Sequence, residues 1–352
     1  MISVLLCIAA VSSAPSFGEA NNLPIEKRVY WELVTQGEPL PKWESALPIR
    51  VGEETPYLVT NEYRQGEAST TIVLVHDRGM SAAIWDQPAG GLAPYLWAQG
   101  HRVVTIEGFG TRNGYQLSNY TEEVASVEDA LWKRLVVQIA KKYPNAFLIL
   151  LGHGFGGRRI YEQALELPQV HGAVALNIPL SLGGSSKALK RALSEVGQGK
   201  STWSILRKLP FAPQDAESKR LGDLLLSRAL SPETWQYFDE MVEAPLHLSG
   251  IEHRMKNEAS FPVPVENNLV RLLRARWEKP ILLLLASHDG WVPPWQCDPA
   301  VFGIKKPSMT RQFLTRANGD ALEYNHLDVV SHPEAENDVF SRIADWLEQF
   351  ER

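Results

Sequence analysis

Ala146 to Ile160 reads AFLILLGHGFGGRRI, and the fold of the chain turns on this stretch. Phe147 to Leu151 is a short unbroken apolar run of the length expected for a strand buried on both faces. It enters a glycine-rich turn, Gly152-His153-Gly154-Phe155-Gly156-Gly157, after which apolar residues recur at helical spacing. Strand, sharp turn and helix is thus the expected order. A phosphate-cradling loop fits less well, because no Lys-Ser/Thr pair follows and the glycines lack the G-x-G-x-x-G spacing.

Gly152 and Gly156 stand two residues either side of Gly154. In a G-x-S-x-G turn the central residue is a serine lifted above the sheet as a nucleophile, so here the scaffold for a nucleophile is present and the nucleophile is not. The central position of such a turn is strained for any residue with a side chain, at a cost of about 1–3 kcal/mol, and glycine relieves that strain.

Working outward, further strand-like runs lie at Thr71–Val75, Arg102–Ile106, Gly172–Ile178, Pro280–Ala286 and Arg311–Thr315. Between them are helical patterns. Leu92–Trp97 suits a short helix, Val127, Leu131, Leu135 and Ile139 recur every four residues through Lys142, and a final amphipathic helix follows Pro333. Strands alternating with helices predict an α/β protein with a doubly wound, mostly parallel sheet. From about Pro179 to Arg276 the alternation stops, and this helix-rich, proline-bearing stretch is read as an inserted lid over residues 179–276. The core is then residues 21–178, lead-in included, and 277–352.

The chain has 352 residues, 44% of them apolar, and a net charge of −6. That is enough apolar content for a large core, and the charge gives no general attraction to nucleic acid. Two cysteines, Cys7 and Cys297, offer neither a disulfide framework nor a cysteine zinc site. Ile2–Val11 is apolar but too short to span a bilayer, and small residues follow it. Residues 1–20 therefore read as a signal peptide for a secreted or periplasmic protein, with a cytoplasmic location as the alternative. Ser181 to Leu230 holds nine Lys/Arg against four Asp/Glu, and the stripe Ala188, Leu189, Ala192, Leu193 and Val196 runs beside Lys187, Lys190 and Arg191. A solvated helix packed on its own core accounts for this pattern, and weak contact with a membrane surface is the alternative.

Five motifs taken in order resemble the α/β-hydrolase superfamily, of the serine esterase, lipase and peptidase type. VLVHDRG is similar to a strand with its HG oxyanion loop, and HRVVTIEGFGTRNG to the next strand with its glycine loop. LLGHGFGG resembles the LLGHSxGG elbow, with Gly152, His153 and Gly156 around Gly154. ASHDGWVPP resembles the segment carrying the catalytic acid, and YNHLDVVSHPEA the loop carrying the catalytic histidine. The resemblance implies Gly154 at the nucleophile position, Asp289 as the acid, His326 as the histidine, and the amides of Arg78 and Phe155 as the oxyanion hole. Two residues depart from the pattern: Gly154 itself, and Asp77 in place of the glycine after the loop histidine.

The resemblance implies a catalytically impaired or non-catalytic homologue that binds a small apolar or acyl-bearing ligand. The alternative is a hydrolase, or another enzyme, in which an Asp289–His326 dyad acts as general base on water. His153 beside the turn is expected to pack. Glu107 lies near the same edge and reads as a loop residue. No cofactor is expected, and no metal, since His76, His153, His288 and His326 lack the spacing of a zinc motif. Trp203, Trp235, Trp291 and Trp295 suggest an apolar pocket.

Overall fold

The computed structural model describes residues 44–45, 58–63, 67–77, 80–86, 91–109, 122–184 and 263–350. The leader, Arg78, Trp203, Trp235 and the lid residues 185–262 lie outside them. An eight-stranded sheet runs through the described residues: β1 (Glu44–Ser45), β2 (Val59–Tyr63), β3 (Thr70–Val75), β4 (Arg102–Glu107), β5 (Phe147–His153), β6 (Val170–Leu176), β7 (Ile281–Ala286) and β8 (Met309–Leu314). Their order across the sheet is β1-β2-β4-β3-β5-β6-β7-β8. β1 with β2 and β2 with β4 are antiparallel pairs, and every other pairing is parallel.

Both faces of the sheet are covered, which is why the central strands carry no polar alternation. Ile72, Leu74, Ile149, Leu151, Leu282 and Leu284 share one cluster with α1 (Leu92–Ala98) and α5 (Ser341–Leu347). Val73, Val75, Leu148, Leu150, Ile281 and Leu283 face the opposite cluster, built from α2 (Glu122–Lys142), α3 (Arg158–Glu166) and α4 (Asn268–Arg276). Along each strand the side chains alternate between two dry layers. This is a doubly wound α/β sheet, as expected.

Some boundaries differ from the sequence reading. Helix α2 begins at Glu122, ahead of Val127, where the apolar repeat of the sequence starts. Helix α4 falls in the stretch read as lid, yet Leu269, Val270 and Leu273 are buried in the core against α3. Its start is fixed by Asn267, whose side-chain oxygen accepts from the Val270 amide at 3.0 Å and whose amide donates to Leu180 O at 2.8 Å.

Chain order places the site. β4 lies on one side of β3 and β5 on the other, so the winding reverses there. The crevice above the carboxyl ends of β3 and β5 is where sheets of this kind receive ligands. The turns that follow those two strands carry Asp77 and Gly154.

Candidate active site

The turn after β5 folds as its sequence suggests. Gly154 has a φ of +55°, in the left-handed region that favours glycine. Its N–H donates to Leu176 O at 3.0 Å, tying the turn to the end of β6. Gly152 lets α3 approach β5, because a Cβ there would lie 2.7 Å from the Gly157 Cα.

The loop after β3 is fixed by His76. Its Nδ1–H donates to Asp77 O at 2.7 Å and its Nε2 accepts from the Gly108 amide at 3.0 Å, joining this loop to the one after β4. Asp77 is thereby aimed across the turn of residues 154–157. Its Oδ1 accepts from the Gly156 amide at 3.2 Å, and its Oδ2 meets His326 Nε2 at 2.9 Å. The carboxylate lies directly over Gly154. A Cβ on residue 154 would stand 2.2 Å from Asp77 Cγ and 2.4 and 2.5 Å from its two oxygens, so the Asp77 carboxylate would have to move before residue 154 could carry a side chain.

His326 is held from its other side by Asp289, whose Oδ2 meets Nδ1 at 2.7 Å. Asp289 Oδ1 accepts the amides of Trp291 and Val292 at 2.9 and 2.6 Å, fixing the carboxylate's orientation. Asp77, His326 and Asp289 are all buried, and they form one line of carboxylate, imidazole and carboxylate. Burial alone would lower the His326 pKa. The charge of Asp289, with its hydrogen bond, and then Asp77 outweigh it and push the imidazole up to about 10. Burial likewise raises Asp77, but His326 and the Gly156 amide bring it below the usual carboxylate range. For Asp289 burial prevails over His326 and its two amides, so its shift is upward. The two carboxylates move in opposite directions beside one imidazole; the direction that follows from the geometry is the raised His326, with an acceptor at each ring nitrogen.

His153 packs beneath this line. Its ring lies 4.6 Å from that of His326, centroid to centroid, and Trp85 meets it edge-on at 6.5 Å. Its Nε2–H donates to the His326 carbonyl at 2.9 Å. Burial, and then the charge of His326, lowers its pKa to about 3, so it is neutral.

Of the residues singled out from the sequence, Gly152, His153, Gly154, Gly156, Asp289 and His326 therefore converge. Phe155 is on the same turn, buried in the core cluster, while the turn amide that meets Asp77 is that of Gly156. His288 does not join them: its ring is largely exposed and faces Glu323 at 3.4 Å. Glu107 is the last residue of β4, buried rather than in a loop.

Three positioning residues were given no role in the site by the sequence reading. Asn325 Oδ1 accepts from the Gly290 amide at 3.2 Å and the His326 amide at 2.8 Å, so one side chain joins the loops of Asp289 and His326. Asp328 Oδ2 accepts from the Asn325 amide at 2.8 Å. Asn177, with φ +47°, holds the ends of β6 and β7 together by accepting the Ala286 amide at 2.7 Å. A polar residue directly beside a triad-like histidine was the one available signal, and it distinguishes nothing by itself.

The model of the alpha/beta hydrolase family matches residues 72–338. The chain belongs to the alpha/beta hydrolase family. No curated protein matches its sequence. Among solved structures, a bromoperoxidase from Bacillus anthracis is similar at 13% identity and a TM-score of 0.57, covering 87% of this chain and 100% of that one. An esterase from Pyrococcus furiosus is similar at 14% identity and a TM-score of 0.55, covering 89% and 92%. A carboxylesterase from Bacillus subtilis is similar at 14% identity and a TM-score of 0.54, covering 94% and 98%. At such identities the likeness is one of fold, and the α/β-hydrolase fold is what these structures share with the chain.

Proposed function

We propose that this member of the alpha/beta hydrolase family is a non-catalytic, ligand-binding homologue of serine esterases, its nucleophile space filled by a carboxylate. Gly154 stands where the family's turn carries its serine. The observation that carries this reading is the 2.2 Å between a Cβ at residue 154 and Asp77 Cγ. The glycine at 154 and the aspartate at 77 are then one exchange rather than two separate losses: Asp77 needs residue 154 bare, and takes over the bond that a serine hydroxyl would make to His326 Nε2. Loss of the nucleophile from a triad enzyme costs on the order of a millionfold in kcat.

In a second reading, an Asp289–His326 dyad activates water. It requires Nε2 of His326 to face a water and to accept its proton, whereas Nε2 is on Asp77 at 2.9 Å. The binding reading is therefore preferred, with small apolar or acyl-bearing molecules as its ligand class.

The test is exposure of the purified full chain to a fluorophosphonate probe, with an ester panel beside it. No serine is expected to be labelled and no turnover above buffer is expected. Stoichiometric labelling of any serine overturns the proposal, and turnover abolished by His326→Ala favours the dyad.

A further inference from the structure

Asp77, His153 and His326, all buried, each offer a ligand atom, and these three atoms lie within 4.8 Å of one another. Two imidazoles and a carboxylate are a donor set suited to zinc and neighbouring divalent transition ions rather than to calcium or magnesium. Proximity alone makes no site. Two further observations do.

The first is an orphaned nitrogen. A carbonyl can only accept, so the bond from His153 Nε2 to the His326 carbonyl puts the proton of that neutral ring on Nε2. Nδ1 then carries a bare lone pair. It is fully buried and has no hydrogen-bond partner, which for a buried polar atom calls for an explanation, a bound ion being one.

The second is the support behind His326. Asp289 takes its Nδ1 at 2.7 Å and is itself held by two backbone amides, leaving Nε2 aimed at Asp77. A carboxylate on one ring nitrogen is also what orients histidines whose other nitrogen holds a metal. Within this group the charges also suit a divalent cation, since two carboxylates balance it while both imidazoles stay neutral.

We propose that Asp77, His326 and His153 form a binding site for a divalent transition-metal ion of the zinc class, positioned by Asp289. This rests on the reading of the centre as a binding rather than a serine-hydrolase site, and adds a metal ion to the organic ligand class given there. On binding, the ion takes the Nε2 lone pair and the proton between Nε2 and Asp77 Oδ2 leaves to solvent.

The experiment is titration of the tag-free, chelator-stripped full chain with Co²⁺, read by its visible d–d absorption and by the unfolding midpoint. Saturation at one Co²⁺ per chain, displacement by Zn²⁺ and a raised midpoint are expected. His153→Gln and Asp77→Asn should each weaken binding at least tenfold, and the positioning variant Asp289→Asn by about 10- to 100-fold, with circular dichroism confirming that each is folded. No Co²⁺ band in the wild-type chain overturns the proposal, whatever the variants do. A band unchanged in folded His153→Gln overturns it too. Neither result touches the probe test: a chain that binds no Co²⁺ and stays unlabelled loses the metal and keeps the non-serine reading, while a labelled serine removes that reading.

Discussion

Asp77 and Gly154 fix each other. With φ at +55°, any side chain at 154 carries about 1–3 kcal/mol of backbone strain, and with Asp77 present its Cβ also meets a carboxylate. Gly154→Ser alone is therefore expected to lower stability by more than that strain, as read by urea unfolding, and to produce no esterase. Asn325→Ala leaves the part-buried amide of Gly290 and the buried amide of His326 without their acceptor and should cost about 1–3 kcal/mol, loosening His326 against Asp289. At this scale the sequence was half legible. Gly154, Asp289 and His326 could be placed because each sits in a short motif whose order is fixed. The bond from Asp77 to His326 could not, since the two are 249 residues apart and a substitution in a motif does not say where its side chain points. Asn325 stands inside the quoted YNHLDVVSHPEA run, yet nothing in that run assigns it a role. It acts only through the two loops that the fold brings together.

Among the elements, the central strands were readable because burial on both faces leaves β3, β5, β6 and β7 almost wholly apolar. Helix α4 was not separable from the lid, because no strand stands between it and the preceding helical pattern to mark where the core resumes. Its packing is what assigns it. Trp277, directly after α4, is buried, meets Tyr161 of α3 edge-on at 5.8 Å and donates its indole N–H to Lys279 O at 2.7 Å. Trp277→Ala should cost about 3–5 kcal/mol in denaturant unfolding, the range for a large core aromatic. Gly152→Ala forces α3 away from β5, since the added carbon meets the Gly157 backbone, and is expected to destabilise the fold more than an alanine on the exposed face of α2.

Over the whole molecule, one architecture persists at 13–14% identity to enzymes of known structure. What those chains share is the alternation of buried strands with covering helices and the crevice where the winding reverses, both set by patterning rather than by particular residues. Chemistry is a separate matter, settled by a few side chains above that crevice. In this chain they are two carboxylates either side of one imidazole. The most direct measurement of that claim compares Gly154→Ser with the double variant Asp77→Gly/Gly154→Ser, scoring fluorophosphonate adducts by intact mass. Labelling is expected only in the double variant, where removal of the carboxylate frees both the space and Nε2 of His326. Equal labelling of the single variant would contradict it, because a serine could then reach His326 with Asp77 still in place.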